Sequence, residues 1–257
     1  MKRNQEQETD NPNRDPKYWL PFQEHSNRSY RKFSEEHDLA LLAPHNIVYE
    51  GQALMSALER LANIYFGMWP KGSALDIGCG AGYLTNTLAE IGFSTTGIDS
   101  SEEAIDVAKS LYERPQFICD NALKLPKKIR EKSYDLIFIA NFHPFFRVRD
   151  DEFQSAVMQE YLSLLNPGGA LVVFQQSTQY DHIDFQRVRD EAKAAGFQVM
   201  MPIRYALIKR LGNIGLLSGR PRTKIEARAF SFMGHLASKI TKGYSQEIFM
   251  AHREVTS

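Results

Sequence analysis

The residue types with the clearest chemical potential lie between Leu75 and Leu84, where three glycines alternate with other residues. Gly78, Gly80 and Gly82 remove side-chain bulk from one side of a tight turn between an apolar strand and a helix. A ligand can therefore lie against bare backbone and the N–H groups at the start of the helix. The run predicts a pocket for a nucleotide-like ligand.

The spacing of these glycines restricts the kind of nucleotide. A dinucleotide-binding turn reads G-x-G-x-x-G or G-x-G-x-x-A, whereas position 83 here is Tyr83. A phosphate-binding P-loop is excluded as well, because no Gly-Lys-Ser/Thr follows. Asp76 stands two residues before the first glycine, and its carboxylate would repel a pyrophosphate but attract an ammonium or sulfonium group. We therefore expect a ligand that is cationic at this end.

The run resembles the first motif of the class I S-adenosylmethionine-dependent methyltransferases, and the resemblance covers about residues 70–205, with a last strand near 246–253. Four further segments carry it in the same order along the chain: Ser94–Ser100, Gln116–Ala122, Tyr134–Asn141 and Leu165–Phe174. Three of them are predicted strands that end in polar residues, and the fourth is an Asn-Pro-Gly-Gly turn into a strand. Five segments in the right order are hard to obtain by chance.

The resemblance implies S-adenosyl-L-methionine as the methyl donor and a set of donor-binding residues at the ends of these strands. They are Asp76, Gly78, Cys79, Gly80, Gly82, Asp99, Ser100, Asp120, Asn121, Ala122 and Asn141. Asp99 would accept the ribose hydroxyls, and Asp120 would lie near the adenine amine. Both acids have another interpretation, because Asp99 could cap the helix that begins near Glu102 and Asp-Asn is ordinary turn chemistry. The Asn-Pro-Gly-Gly turn is expected to be structural.

The segment Asn141–Phe146 follows the fourth strand, where the resembling family places the transferred methyl group. It is superficially similar to the Asn-Pro-Pro-Tyr/Phe signature of amino methyltransferases that act on DNA bases. It departs from that signature by an inserted residue and by the lack of the first proline. Asn141 is a candidate pocket residue. His143 could act as a general base if the acceptor must lose a proton, or could only shape the pocket floor or cap the next helix.

The first 66 residues are expected to form a tail followed by a helical cap. Residues 1–15 are polar and charged, as in disordered segments. Residues 16–66 carry aromatic, histidine and leucine side chains at helical intervals, with Pro21 interrupting the first helix and Pro44 ending it. Such additions commonly form the substrate pocket in the resembling family. The substrate-binding candidates are Tyr18, Phe22, His25, Tyr30, His143 and Phe145.

Residues 67–257 are predicted to form an α/β domain with a seven-stranded, mostly parallel sheet sandwiched by helices. Gly196–Tyr205 is the predicted sixth strand, and segment 206–243 is a predicted helical insertion before the last one. This segment holds eight basic residues and one acidic residue, although the whole chain has 31 of each sign and no net charge. We interpret it as a substrate lid, with a phosphate-binding surface as the alternative.

Composition restricts the environment in which the protein works. An apolar content of 43% is typical of a folded globule, and no apolar run approaches the roughly 18 residues that a membrane span needs. The polar start has no signal-peptide pattern. Cys79 and Cys119 have neither metal-ligand spacing nor the arrangement of a disulfide pair. We therefore expect a cytoplasmic protein without a bound metal or a membrane partner.

Together these features predict a methyltransferase that acts on an oxygen or nitrogen atom of a small metabolite. A first alternative is a methyltransferase of tRNA or another nucleic acid, which would use the basic insertion to hold phosphates. A second alternative is a binding module that keeps the ligand turn without catalysis. The intact motif argues against this module, although it establishes only binding. The oligomeric state and the acceptor atom stay open.

Overall fold

The computed structural model of the chain describes residues 20–37, 51–146, 150–177, 185–200, 203–204 and 245–254. These residues form a central sheet with helices on both faces. Its strands are β1 Ser73–Ile77, β2 Ser94–Asp99, β3 Gln116–Cys119, β4 Tyr134–Ala140, β5 Leu165–Ser177, β6 Phe197–Val199, β7 Ile203–Arg204 and β8 Ser245–Arg253. The helices are α1 Leu20–Glu36, α2 Gly51–Phe66, α3 Tyr83–Glu90, α4 Glu102–Leu111, α5 Lys127–Arg130, α6 His143–Phe146, α7 Asp151–Ser163 and α8 Phe185–Ala194.

The strands follow the order β3-β2-β1-β4-β5-β8-β6, with β7 paired beside β8. Strands β1 to β5 are parallel, and β8 runs antiparallel to β5, β6 and β7. The chain order reverses between β1 and β4, because β2 and β3 lie on one side of β1 and β5 lies beyond β4. Such a reversal leaves a crevice at the carboxyl ends of parallel strands, where ligands bind. The mostly parallel α/β sheet predicted from the sequence is confirmed.

The predicted sixth strand, Gly196–Tyr205, is divided into β6 and β7. Val199 pairs with Ala251, and Ile203 pairs with Ile248. The chain therefore advances four residues from β6 to β7 while β8 advances only three. This is the count of a β-bulge. Residues 201 and 202, between the two strands, lie outside the described residues. The two short strands therefore take the place of the one predicted.

Both faces of the sheet are buried, as the continuous apolar sequence of the parallel strands requires. On one face, Phe138 packs in a cluster with Leu58 of α2 and Leu88 of α3. On the other face, Ile137 packs in a cluster with Tyr161 of α7. Burial on both faces fixes the register of the strands. The carboxyl ends of β1, β2, β3 and β4 are thereby held at one edge.

The described part of helix α1 runs from Leu20 to Glu36. Residues 16–19 lie outside the described residues, so the interruption expected at Pro21 stays a prediction. α1 packs on α4 through Phe33, which lies in a buried cluster with Ala104 and Val107. The contact brings α1 to the carboxyl edge of β2.

At the opposite edge of the sheet, where β1 and β4 begin, Asp135 hydrogen-bonds two neighbouring segments. One of its carboxylate oxygens accepts hydrogen bonds from the Ser73 N–H at 2.7 Å and the Ser73 hydroxyl at 3.0 Å, and the other accepts from the Asn166 amide at 3.0 Å. Burial alone would raise the pKa of Asp135, but these hydrogen bonds outweigh it and lower the pKa. Asn166 belongs to the Asn-Pro-Gly-Gly turn, whose contacts here agree with the structural role expected for it.

Candidate active site

The glycine run forms the turn from β1 into α3 at the carboxyl edge of the sheet. Gly78, Gly80 and Gly82 have φ angles of 70°, 51° and 79°, in the left-handed region that favours glycine. At two of these positions, neighbouring side chains also lie too close to leave room for a β-carbon. A β-carbon on Gly78 would lie 2.5 Å from the Phe142 ring, and one on Gly82 would lie 2.6 Å from the Phe117 ring. The turn is thus packed against β3 and against the chain that follows β4.

Asp99 ends β2 beside this turn, and backbone groups bind both of its carboxylate oxygens. Oδ2 accepts from the Gly80 N–H at 2.9 Å, and Oδ1 accepts from the Ser101 N–H at 2.9 Å. Burial raises the pKa of Asp99, and these N–H groups oppose the rise. The cap of α4 is Ser101, whose hydroxyl accepts from the Ala104 N–H at 3.0 Å. The Ser100 backbone also hydrogen-bonds Asp99, and the carboxylate keeps acceptor capacity for a ligand hydroxyl.

The carboxyl group of Asp76 lies below the turn, between β1 and α3. It is 2% exposed, and its Oδ2 accepts a hydrogen bond of 2.6 Å from the Thr85 hydroxyl. Burial raises the pKa of Asp76 to about 7, and the neighbouring Asp99 adds to the rise while Thr85 opposes it. A group in this position can change its charge near neutral pH. Its attraction for a cationic ligand stays a prediction.

The thiol of Cys79 is turned towards β2. Burial raises its pKa well above the usual value, and the neighbouring carboxyl groups of Asp99 and Asp76 raise it further. The thiol is therefore neutral and a poor nucleophile. Gly97 of β2 leaves room for it, since a β-carbon there would lie 2.9 Å from both the Cys79 sulfur and the Thr85 hydroxyl oxygen.

Tyr30 of α1 lies against the glycine turn. Its side chain is 6% exposed, and its hydroxyl is 3.1 Å from the place that a β-carbon on Gly80 would take. The backbone of Ala81 hydrogen-bonds this hydroxyl. Burial raises the pKa of the Tyr30 phenol, and the nearby Asp99 adds to the rise. Of the predicted substrate-site residues, Tyr30 is the one that the described structure brings to the turn.

A polar stripe on α1 extends this contact to the start of α4. The Gln23 amide donates to the Ser100 hydroxyl at 3.1 Å, and the Ser101 hydroxyl donates to the Asn27 side-chain carbonyl at 2.8 Å. Gln23, Asn27 and Tyr30 are spaced four and three residues apart, so they share one helix face. Sequence reasoning singled out aromatic residues and missed the two amides. Their spacing relative to Tyr30 was the available signal.

The turn after β3 contains Asp120, Asn121 and Ala122. The Asp120 N–H donates to the Asp99 carbonyl at 2.9 Å, which joins this turn to the end of β2. The Asn121 side chain accepts from the Leu123 N–H at 2.9 Å, as expected for the alternative of ordinary turn chemistry. Asn121 is exposed and Asp120 is half-buried, so both are accessible at the edge of the crevice.

The chain reverses sharply after β4 at Asn141, whose φ of 46° is unusual for a residue other than glycine. Such conformations cost of the order of 1–3 kcal/mol and often occur at functional sites. The Asn141 N–H donates to the Phe174 carbonyl at 2.9 Å, which fixes the reversal against β5. The next residue, Phe142, then covers Gly78. The segment that follows β4 and the glycine turn are therefore in direct contact.

The structure describes the side chains of two other substrate-site candidates, His25 and Phe145. His25 lies on the exposed part of α1. The Phe145 ring has no exposed surface and packs in the core beside Phe146 and Tyr161. Tyr18 and the side chains of Phe22 and His143 fall outside the described residues, as does segment 206–243.

Two general properties complete the description of the site. Within the described ranges, no group of three or more His, Cys, Asp and Glu side chains is arranged to hold a metal ion. None of the helices in the same ranges combines the length and the apolar character needed to cross a membrane.

The sheet order and the glycine turn define the class I methyltransferase fold. Residues 70–229, more than half of the chain, match a family model described as a methyltransferase domain. The chain belongs to this methyltransferase family.

Similar proteins include a ubiquinone biosynthesis O-methyltransferase of Pelagibacter ubique (strain HTCC1062), 31% identical over 100 residues that make up 38% of this chain and 40% of that protein. A demethylmenaquinone methyltransferase of Tropheryma whipplei (strain Twist) is 30% identical over 119 residues, or 46% of this chain and 48% of that protein. The chain thus spans less than half the length of these two curated relatives.

Solved structures resemble the chain over a larger share of its length. The magnesium protoporphyrin IX methyltransferase of Synechocystis PCC 6803 with bound S-adenosylmethionine has a TM-score of 0.51 and 19% identity, covering 79% of each chain. The plantazolicin methyltransferase in complex with S-adenosylhomocysteine has a TM-score of 0.54 and 18% identity, covering 91% of this chain and 96% of that one. At these identities the likeness concerns the fold.

Proposed function

We propose that the protein transfers a methyl group from S-adenosyl-L-methionine to an oxygen or nitrogen atom of a small molecule. The observation that carries the proposal is Asp99, whose two oxygens are oriented by the Gly80 and Ser101 N–H groups at the point where the strand order reverses. The names of the relatives support a small acceptor, since they include methyltransferases of ubiquinone and menaquinone biosynthesis.

The residues at the carboxyl edge fit such a donor. A ribose requires hydroxyl acceptors, and the Asp99 carboxylate has acceptor capacity beyond its hydrogen bonds to the backbone. A ligand must also reach the backbone of the turn, and the left-handed φ angles of Gly78, Gly80 and Gly82 give this turn its tight shape. Asp120 and Asn121 would lie on the adenine side, with Ser100, Ala122 and the backbone of Cys79 completing the wall.

In methyl transfer, the main task of the protein is to position the acceptor atom relative to the donor. When bound, S-adenosyl-L-methionine supplies a methyl group that its sulfonium centre already activates. The chain must then hold the acceptor atom in line, about 3 Å from the methyl group, and exclude water. Tyr30 and α1 would exclude water from the donor side, and Asn141 would face the acceptor. His143 would take a proton where the acceptor must lose one.

Calorimetric titration with S-adenosylhomocysteine tests the donor site. We expect micromolar binding, no binding of NAD or ATP under the same conditions, and a loss of about 1.5–3 kcal/mol in Asp99→Ala, the scale of hydrogen bonds to a charged group. Asp135→Ala is the matched control, because it removes a hydrogen-bonded carboxylate at the opposite edge. It should lower stability and leave the affinity unchanged. Unchanged affinity in Asp99→Ala would remove this residue from the site.

Transfer itself can be tested before the acceptor is identified. The protein is incubated with methyl-labelled S-adenosylmethionine and a cell extract separated into small molecules, RNA and protein. We expect label in the small-molecule fraction. Label in RNA would favour the nucleic-acid alternative, and donor binding without label in any fraction would favour a binding module.

A further inference from the structure

Helix α7 lies behind the candidate site and carries two polar side chains that are almost completely buried. Gln154 is 1% exposed and Tyr161 is 0% exposed. They are seven residues apart, so nearly two full helical turns place them on one face of α7. Buried polar groups in folded proteins are nearly always hydrogen-bonded. The partners of these two side chains therefore show what this face of α7 holds in place.

Tyr161 binds the turn after β3. Its hydroxyl donates to the Ala122 carbonyl at 2.8 Å, across 39 positions of sequence. Ala122 is itself 2% exposed and ends the turn that begins with Asp120 and Asn121. The hydrogen bonds of Asn121 described above are local to this turn. The Tyr161 hydroxyl ties the turn to a long helix of the core.

Gln154 binds the turn after β4. Its amide nitrogen donates to the Phe145 carbonyl at 3.0 Å in a buried environment. Phe145 lies in α6, which has four residues and so offers its carbonyls no following helical turn. The Gln154 side-chain oxygen accepts from the guanidinium of Arg187 on α8, and this guanidinium also pairs with Asp151 at 2.9 Å. Arg187 therefore fixes which end of the Gln154 amide faces α6.

We propose that α7 positions both halves of the site, with Tyr161 a positioning residue for the donor-side turn 120–122 and Gln154 one for the acceptor-side segment 141–146. Neither side chain touches a ligand, because each acts through a backbone carbonyl. The proposal rests on the donor site proposed above. It predicts that two hydrogen bonds from one helix face each hold a different turn of the site in place.

The donor half is tested with Tyr161→Phe, which removes only the hydroxyl. We expect the dissociation constant of S-adenosylhomocysteine to rise about 3- to 10-fold, the effect of one lost hydrogen bond. Amide hydrogen exchange should become faster in residues 120–123 and stay unchanged in 141–146. The control is Asn166→Ala, which loses a hydrogen bond to Asp135 at the opposite edge. An unchanged affinity in Tyr161→Phe, or an equal loss in Asn166→Ala, would overturn the role of Tyr161.

The acceptor half is tested with two variants of Gln154. Gln154→Glu can still accept from Arg187 but as a carboxylate no longer donates to the Phe145 carbonyl, whereas Gln154→Met loses both contacts. We expect hydrogen exchange in residues 141–146 to become faster in both variants and to stay unchanged in residues 120–123. Normal exchange in Gln154→Glu would show that the donated hydrogen bond has no positioning role.

Failure of the proposed function would look different. An unmodified protein that does not bind S-adenosylhomocysteine would contradict the donor site itself. The exchange measurements need no ligand, so they would still show whether α7 holds the two turns.

Discussion

Two opposing effects act on the carboxyl group of Asp76. Burial disfavours its ionised form, while the 2.6 Å hydrogen bond from Thr85 favours it. Burial dominates, and the nearby Asp99 adds like charge, so the pKa rises from 3.8 to about 7. An unfolded chain releases this proton near pH 3.8, whereas the folded chain keeps it until about pH 7. Between these values the folded state binds more protons, so its stability falls as pH rises.

Asp76→Asn should remove this pH dependence, because asparagine still accepts from Thr85 and does not ionise. Relative to the unmodified protein, the variant should gain about 2–3 kcal/mol of unfolding free energy between pH 5 and pH 8. Urea unfolding without ligand at both pH values measures it. In the control Asp135→Asn the difference from the unmodified protein should be the same at both values, since hydrogen bonds lower the Asp135 pKa. A pH-independent effect of Asp76→Asn would mean that Asp76 does not titrate in this range.

Among the elements, α1 is held on the donor side by polar contacts near the surface and by two buried aromatic side chains. The hydrogen bonds of Gln23 and Asn27 and the ion pair of Arg31 with Glu103 at 2.8 Å lie at least partly in solvent. Exposed pairs of this kind contribute only about 0–1 kcal/mol each. Tyr30 and Phe33 supply the buried part of the contact. Detachment of α1 would break these weak polar contacts and expose the two aromatic side chains, at a cost of about 1.5–3 kcal/mol for a side chain such as Phe33.

We therefore expect the segment from about 16 to 40 to close over the donor and become protected when it binds. Trypsin should cleave after the exposed residues Arg28, Arg31 and Lys32 in the free protein, and several-fold more slowly with saturating S-adenosylhomocysteine. Cleavage after the exposed residues Lys127 and Lys128 of α5 is the internal control and should not change. Equal cleavage of α1 in both states would make it a permanently docked helix.

Local sequence patterns predict the elements whose signals lie within a few residues. β4 has the predicted bounds Tyr134–Ala140, and the glycine turn and Asp99 lie together at the predicted edge. The pattern did not resolve the break between β6 and β7, because the bulge depends on pairing with β8.

The supporting residues of the site were not predictable in the same way. Gln23 and Ser100 are 77 positions apart, and Tyr161 and Ala122 are 39 apart. Gln154 and Tyr161 belong to no motif, and a polar residue on a helix is usually exposed. Their roles depend on tertiary contacts that local spacing does not encode.

For the whole molecule, the distribution of charge separates the two leading functions. Segment 206–243 holds eight basic residues and one acidic residue in a chain with no net charge, so the remaining residues carry a net negative charge. The segment is also rich in apolar residues such as Leu216, Leu217 and Phe230, which a lid over a small acceptor would use. We therefore favour a lid over a nucleic-acid surface.

Reversing Arg220, Arg222 and Lys224 to Glu tests this assignment. A lid predicts unchanged binding of S-adenosylhomocysteine and altered turnover of the acceptor, whereas a phosphate-binding surface predicts loss of salt-sensitive RNA binding. The matched control reverses Lys127, Lys128 and Arg130 on α5, which are exposed and equally basic. Gel-shift assays with tRNA across a salt series give the measurement. Tight, salt-sensitive tRNA binding by the unmodified protein would contradict the lid.

The contact of Gly97 with the glycine turn has a consequence for the mutations that can accumulate. Position 97 has no room for a side chain, since a β-carbon there would lie 2.9 Å from both the Cys79 sulfur and the Thr85 hydroxyl oxygen. A damaging Gly97→Ala substitution is therefore expected to have second-site suppressors. Thr85 is the hydrogen-bond partner of Asp76, so shortening it creates a new defect. Removal of the Cys79 sulfur leaves the contact with Thr85, so a suppressor at Cys79 should restore stability only in part, and position 97 should stay glycine in the lineage of this protein.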